Sequence, residues 1–379
     1  MNGSGEQSSR IVIAAGGTGG HIFPALAVWE ALSGRHPELE LVWMGSTHRM
    51  ESRLIPARGI EFIGLRQTEI RRRPSLGNIL YNLRSLWFLG TSFFRCVGEI
   101  RRIRPVLVLT TGGFASGAAG LAARMTRTPL GIIEPNAYPG LTNRFLGKGA
   151  AFVCVAYAQA KAHFPRGAPH LLGVPARGEV ARKDRDQARR ELGLGQGTLM
   201  VLAMGGSQGA AGINRLLPEA AKLTLKDRPD IDVRFVHQCG AGKKDTVKVS
   251  RETLPENRYE IAEFIEDVPT YLAAADVVVS RAGASTLAEI ACRGLPAILV
   301  PYPHAAENHQ VRNARSWEEA GAAVCIEEKD LTPSGIATSL LLLLTDAGRR
   351  EAMGEAARGF GDPDAAERIA DLVEPYLAG

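Results

Sequence analysis

Apolar positions in this chain fall into short continuous runs. Segments with helical spacing alternate with these runs, and two of the early runs end in glycine loops. Residues 11–15 (IVIAA) form the first run and end in Gly16-Gly17-Thr18-Gly19-Gly20. Residues 41–44, 106–111, 130–133 and 151–155 repeat the theme, and the run at 106–111 ends in Gly112-Gly113. A strand of a parallel sheet is covered by helices on both faces, so it reads as unbroken apolar sequence. Run, glycine loop and helix in that order make the βα unit of a doubly wound sheet. The pattern restarts after Arg177. Residues 182–192 are charged and helical in spacing, and new apolar runs lie at 198–204, 233–236, 277–280 and 297–301. The pattern predicts an α/β chain of two Rossmann-like doubly wound domains, residues 1–175 and 176–362. They join where Gly173, Val174, Pro175 and Ala176 break the periodicity. Residues 363–377 again have helical spacing. Ligands of such sheets bind beyond the carboxyl ends of the strands, which makes a cleft between the domains the expected site.

Composition narrows the function more than the fold. Forty-five Lys and Arg against 40 Asp and Glu leave a net charge of +5, which suits anionic partners without selecting one. The five cysteines, Cys96, Cys154, Cys239, Cys292 and Cys325, are scattered and form no CxxC pair. That spacing points away from a disulfide framework or structural zinc and toward a reducing compartment. Residues 1–10 are polar and lack an apolar signal core. The greasiest stretch, 79–94, is interrupted by Asn82 and Arg84 and falls short of the ~20 apolar residues of a spanning helix. A peripheral or soluble protein is expected.

Candidate chemistry gathers on the glycine loops. Gly16-Gly17-Thr18-Gly19-Gly20-His21 follows a strand and opens a helix, where backbone N–H groups and the helix N-terminus attract anions. A tight turn alone would use the same glycines, and His21 is either a proton acceptor or a hydrogen-bonding residue of the helix start. Residues 110–117 (TTGGFASG) form a second loop, whose small residues equally suit helix–sheet packing. Residues 205–210 (GGSQGA) form a third, with the Ser207 hydroxyl suited to phosphate and Asn214 further along the helix. The fourth is 281–289 (RAGASTLAE). There Ser285 or Thr286 can cap the helix, and Glu289 either accepts from a ribose diol or closes a capping box with Thr286. Gln310 and Asn313, three apart, share a helix face that suits sugar hydroxyls or solvent. The DxD triplets 184–186 and 230–232 read as surface or turn positions rather than a metal site. Leu76, Ile79, Leu80, Leu83, Leu86 and Trp87 recur at helical spacing between Arg71-Arg72-Arg73 and Arg101, Arg102 and Arg104. Part of that stripe is core, and the composition also fits a helix lying on an anionic membrane.

In this order, GGTGGH at 16–21, TGGFASG at 111–117, GLTNR at 140–144, GGSQGA at 205–210, EFI at 263–265 and the stretch 281–313 resemble the MurG-type transferases of glycosyltransferase family 28. The resemblance spans residues 11 to about 377. It implies a GT-B fold, two Rossmann-like domains facing a cleft, with residues 363–379 a helix packing back on the first domain. It implies that the first domain binds a lipid-linked acceptor, lipid I, and the second UDP-GlcNAc. Thr18, Gly19, Gly20, Asn136 and Arg177 would then contact the donor, Ser207 its diphosphate and Ile265 the uracil through its backbone. Ala284, Ser285, Thr286, Leu287, Ala288 and Glu289 would hold phosphate and ribose, with Gln310 and Asn313 on the GlcNAc hydroxyls. Two places depart from the family pattern. Ile133-Glu134-Pro135-Asn136 stands where His-Glu-Gln-Asn is usual, and Gly173-Val174-Pro175-Ala176-Arg177 where Gly-Asn-Pro-Val-Arg is frequent.

The implied reaction is inverting displacement at the GlcNAc anomeric carbon by the MurNAc 4-hydroxyl, giving lipid II for peptidoglycan synthesis. His21 is the candidate base, with Glu134 second. The resemblance implies no cofactor, no metal and no nucleic-acid partner. It places the protein peripherally on the cytoplasmic face of the inner membrane, through residues 71–104. The rival expectations are a transferase for another lipid-linked acceptor and a non-catalytic nucleotide-sugar-binding scaffold. A dehydrogenase is disfavoured because no GxGxxG with a downstream acid occurs.

Overall fold

The computed structural model describes residues 9–66, 76–166, 169–206, 208–249 and 254–377, with only the backbone of 76–84 and 86. Two compact units result: Met1–Pro175 with Asp364–Gly379, and Ala176–Pro363.

The first unit holds β1 (Arg10–Ala15), β2 (Glu40–Ser46), β3 (Glu61–Leu65), β4 (Leu107–Gly112), β5 (Leu130–Glu134), β6 (Phe152–Val155) and β7 (His170–Leu171). They form one parallel sheet of order β3-β2-β1-β4-β5-β6-β7. Its helices are α1 (Gly19–Arg35), α2 (Glu51–Leu54), α3 (Leu76–Ile103), α4 (Phe114–Thr126) and α5 (Leu141–Leu146). The second unit begins with α6 (Gly178–Arg182) and α7 (Arg185–Glu191). Its strands β8 (Leu199–Met204), β9 (Val233–Gln238), β10 (Tyr259–Ala262), β11 (Val277–Ser280), β12 (Ala297–Leu299) and β13 (Ala323–Cys325) pair in parallel, in the order β10-β9-β8-β11-β12-β13. Around them lie α8 (Ala211–Asp227), α9 (Val268–Ala274), α10 (Ala284–Arg293), α11 (His309–Glu319), α12 (Pro333–Thr345) and α13 (Ala347–Arg358). The chain ends in α14 (Ala365–Leu377), which belongs to the first unit.

The central strands are the apolar runs of the sequence. β1, β4 and β8 are buried along almost their whole length. Two corrections follow from the structure. Residues 182–192 are not one helix: Lys183 is extended, and Asp184 starts a new helix by accepting from Gln187 N–H (2.7 Å). Strands β3, β7, β10 and β13, absent from the sequence reading, close the four sheet edges.

α14 packs on α1 through Ile369, Ala370 and Val373, all fully buried. Arg35 of α1 reaches Glu367 (2.6 Å), Asp371 (2.7 Å) and Glu374 (3.3 Å), and His36 reaches Glu374 (2.8 Å). Burying one Ile or Val contributes about 1.5–3 kcal/mol. A solvent-facing ion pair contributes roughly 0–1 kcal/mol. The apolar seam therefore holds α14, and the charges set its register.

Candidate functional site

In each sheet the strand order reverses once, between β1 and β4 in the first unit and between β8 and β11 in the second. Connections leave in opposite directions at such a point and open a crevice at the strand ends. The four glycine loops singled out in the sequence follow β1, β4, β8 and β11, so topology brings them together in pairs.

In the first unit the two loops lie in contact. Gly113 has φ +85°, and a methyl group on it would stand 2.6 Å from Gly16 O, so both the backbone and the space require glycine. The His21 ring lies against Gly112, and Thr111 Oγ1 donates to His21 O (2.8 Å). Ser116 Oγ lies 2.6 Å from Ala14 O and 2.7 Å from Gly112 O, and it accepts from Gly112 N–H (3.0 Å). The small residues of α4 thus pack helix on strand and also tie the second loop down. His21 is the third residue of α1, whose N-cap Thr18 makes no side-chain cap bond. Gly19 and Gly20 begin that helix.

Sequence reasoning missed Glu51. Its side chain is fully buried beneath the first loop, and Oε1 accepts from Gly17 N–H (3.1 Å) and Ser46 N–H (3.0 Å). Oε2 has no hydrogen-bond partner among the described residues.

Glu134, at the end of β5, is buried and surrounded by donors. Asn136 N–H (2.9 Å) and Asn136 Nδ2 (3.1 Å) reach Oε1, while Gly140 N–H (3.1 Å) and Asn143 Nδ2 (2.9 Å) reach Oε2. Burial pushes its pKa up to about 7, and the N–H donors pull the other way. Both oxygens are engaged in shaping the 134–143 turn that carries Asn136. The geometry therefore favours a positioning role over the proton acceptor expected from sequence. Pro135 lacks an N–H and takes no part in these bonds.

In the second unit the N-cap of α10 is Gly283, and no side chain caps the helix. This corrects the expectation that Ser285 or Thr286 caps it, and it removes the capping box: Thr286 and Glu289 lie inside the helix. The first turn, Ala284–Thr286, follows a glycine N-cap that has no side chain to cap it. Leu287 and Ala288 are buried and carry the helix on the sheet. Glu289 is 6% exposed and pairs with Arg177, whose Nε donates to Oε1 at 2.7 Å. Burial raises the Glu289 pKa, and the Arg177 charge and hydrogen bond oppose the rise. Oε2 has no hydrogen bond among the described residues, which leaves an acceptor for a hydroxyl.

The other glycine loop of this unit packs against the end of β9. Gly209 has φ +66°, and a methyl group there would overlap Cys239 O. α8 starts just after it at Ala211, again without a side-chain cap. Ser207 lies outside the described residues. Ile265 is buried by its side chain, yet its N–H and C=O have no hydrogen-bond partner among the described residues. A free donor and acceptor on one residue match the amide-like edge of a uracil.

The two amides of α11 part company. Gln310 accepts from Tyr302 N–H (3.0 Å), with its Nε2 near Gly283. Asn313 is fully buried and donates to Ala282 O (3.2 Å), so it braces the β11–α10 loop instead of offering itself to a ligand.

The DxD triplets have local partners. Asp184 caps α7, Asp230 pairs with Arg228 (2.6 Å) and Asp232 accepts from Thr198 (2.6 Å). On α3, Cys96, Val97, Ile100 and Ile103 are buried, whereas Trp87 is 71% and Phe94 69% exposed. The stripe is thus core on one side and bare aromatic on the other. Arg71, Arg72, Arg73 and Pro74 lie outside the described residues, as do the side chains of Leu76, Ile79, Leu80, Leu83 and Leu86. No described helix is long and apolar enough to cross a membrane.

Comparison with known proteins agrees with this layout. Residues 11–155 match the glycosyltransferase family 28 N-terminal domain, and residues 200–369 the family 28 C-terminal domain. The chain is 38% identical over 377 residues to the UDP-N-acetylglucosamine–N-acetylmuramyl-(pentapeptide) pyrophosphoryl-undecaprenol N-acetylglucosamine transferase of Desulforudis audaxviator, covering 98% of this chain and 99% of that protein. It is 40% identical over 365 residues to the transferase of the same name from Symbiobacterium thermophilum, 96% of this chain and 95% of that one. The crystal structure of Acinetobacter baumannii MurG superposes with a TM-score of 0.76 at 28% identity, covering 97% of this chain and 99% of that chain. The chain belongs to the MurG transferases of glycosyltransferase family 28.

Proposed function

We propose that this protein transfers GlcNAc from UDP-GlcNAc to the N-acetylmuramyl-pentapeptide carried on pyrophosphoryl-undecaprenol, the lipid I to lipid II step of peptidoglycan synthesis. The observation that carries the reading is the first turn of α10. It has no side-chain cap, it opens at the β8/β11 switch point, and Glu289 lies farther along the helix, held by Arg177. A helix N-terminus takes a diphosphate, and a carboxylate with one open oxygen takes a ribose hydroxyl.

In this reading the donor diphosphate rests on Ala284, Ser285, Thr286 and Ser207, uracil on the Ile265 backbone and ribose on Glu289. Gln310 donates to the GlcNAc, and Asn313 braces the loop beneath. Thr18, Gly19, Gly20 and Asn136 complete the sugar contacts. His21 removes the proton from the acceptor 4-hydroxyl as the anomeric C–O bond to UDP breaks. Charge on the departing UDP is met by the helix N-terminus. Glu134 keeps Asn136 in place.

The same reading puts the protein peripherally on the cytoplasmic face of the inner membrane. Support comes from the bare Trp87 and Phe94, which lie in the same unit as exposed Met125, Leu141 and Phe145. Cosedimentation with anionic vesicles should exceed that with neutral ones, and Trp87→Asp/Phe94→Asp should abolish it.

Transfer of labelled GlcNAc from UDP-GlcNAc to a short-chain lipid I analogue, with EDTA present, tests the reaction. Labelled product is expected. Donor binding without transfer, with or without magnesium, would favour a different acceptor or a non-catalytic scaffold.

A further inference from the structure

The second unit buries a chain of polar groups that the reaction above does not use. Tyr259 Oη lies 2.8 Å from His237 Nδ1, and His237 Nε2 lies 3.1 Å from Asn214 Oδ1. Asn214 Nδ2 donates to Cys239 O (2.9 Å) and to Thr246 Oγ1 (3.1 Å). Thr246 Oγ1 in turn donates to Lys243 O (2.6 Å), and Lys243 Nζ donates to Gln208 O in the glycine loop. Tyr259, His237 and Asn214 are essentially without solvent exposure.

The directions of these bonds are fixed by elimination. Asn214 Nδ2 faces two oxygen acceptors, so Oδ1 faces the imidazole. His237 Nε2 must then carry the proton, and Nδ1 must accept from the Tyr259 hydroxyl. Burial holds the His237 pKa down at about 4, so this neutral tautomer persists across the physiological range.

The far end of the chain is the backbone on which the glycine loop rests. Gly209 packs on Cys239 O, and Gly240 against Gln208 and Gly209. Cys239 N–H donates to Ala262 O (2.9 Å) and Gly240 N–H to Glu263 O (3.0 Å), which ties in the segment leading to Ile265. An apolar trio could fill the same space without the desolvation that these polar groups incur. A fully satisfied network instead specifies one geometry.

We propose that Asn214, oriented by His237 and Tyr259, is a positioning residue for the nucleotide-sugar: it aims the Cys239 carbonyl and thereby sets both the 205–210 loop and the 262–265 segment. The proposal rests on the reading that this unit binds UDP-GlcNAc. It assigns the network no contact with substrate.

Asn214→Ala leaves the Cys239 carbonyl and the His237 Nε2–H without partners. The KM for UDP-GlcNAc should rise about tenfold, while kcat and the acceptor KM stay within about twofold. Tyr259→Phe removes the donor to Nδ1 and should raise the donor KM by about threefold. Nitrogen NMR of His237 in the wild type should show a protonated Nε2 and bare Nδ1 from about pH 5.5 to 8; Tyr259→Phe should keep that tautomer, because Asn214 Oδ1 still faces Nε2, and shift only the Nδ1 resonance. Folded variants with an unchanged donor KM would overturn the proposal. If Asn214→Ala does not fold, Tyr259→Phe decides by the same measurement. Calorimetry separates the two levels. Wild type that fails to bind UDP-GlcNAc sinks the donor-site reading itself, and wild type and variants that bind it equally sink only the role of the network.

Discussion

Replacing Glu134 by Gln separates two roles for that residue. Oε1 holds the Asn136 N–H and Nδ2, and Oε2 holds the Gly140 N–H and Asn143 Nδ2. Glutamine has one oxygen and one NH2, so whichever way the amide turns, two N–H donors face another donor. Hydrogen bonds to a charged group contribute about 1.5–3 kcal/mol each, and losing two costs roughly 3–6 kcal/mol. Removing a buried charge returns part of that, leaving a net loss of about 3 kcal/mol. For a unit of this size that lowers the unfolding midpoint by roughly 6–12 °C. Thermal unfolding with steady-state kinetics is the assay, and a raised donor KM should accompany the lower midpoint because Asn136 moves with the turn. An unchanged midpoint with kcat down by about a hundredfold would refute the positioning argument and make Glu134 a proton-transfer residue.

Arg177→Ala strips Glu289 of its cation while leaving it buried. The partly exposed Arg177 limits the loss to about 1–2 kcal/mol, and the donor KM should rise about tenfold, read by melting and kinetics. His36 gives a pH effect at α14. Its hydrogen bond to Glu374 raises the His36 pKa above the ordinary value of 6.5. A raised folded-state pKa means the contact is at full strength below pH 6.5 and fades as pH rises through the folded value. Protection factors in α14, exchange rates corrected for intrinsic base catalysis, should therefore fall between about pH 5.5 and 8.5, and His36→Gln should remove that fall.

The parts of the fold that are legible in the sequence are those buried on both sides. β1, β4, β8 and β11 each have two neighbouring strands, and each appears as an unbroken apolar run. β3, β7, β10 and β13 have one neighbour each, and their burial is mixed or absent, so no continuous run marks them. The glycine loops were visible because their spacing is local. Glu289 was seen, but its role was ambiguous until the helix start at Gly283 placed Thr286 inside the helix. Glu51 was invisible, being one acid among Arg49, Ser52 and Arg53, and its burial depends on where β1 and β2 put Gly17 and Ser46. Asn214 was visible as a residue of its helix, but its partners come from β9, β10 and the 239–246 segment, which only tertiary pairing brings near.

The four glycine loops look alike in sequence, yet their electrostatics divide them. In the second unit the first turns of α8 and α10 have no side-chain cap. In the first unit the Gly17 N–H is already given to the buried Glu51. A phosphate oxygen brought to that N–H would stand beside a carboxylate. Two unit charges 4 Å apart repel by about 4 kcal/mol at an effective dielectric of 20. Gly16 and Gly17 are therefore closed to anions and suited to neutral sugar hydroxyls, which agrees with the proposal that the donor diphosphate is held in the second unit. Glu51→Gln keeps the acceptor for Gly17 and Ser46 and removes the charge. Inorganic pyrophosphate should then inhibit transfer more strongly, by about tenfold, in competition with the acceptor and not with UDP-GlcNAc. Equal inhibition of wild type and variant would mean that the Glu51 charge does not govern what the first loop admits, and the division between the two pairs of loops would lose its physical basis.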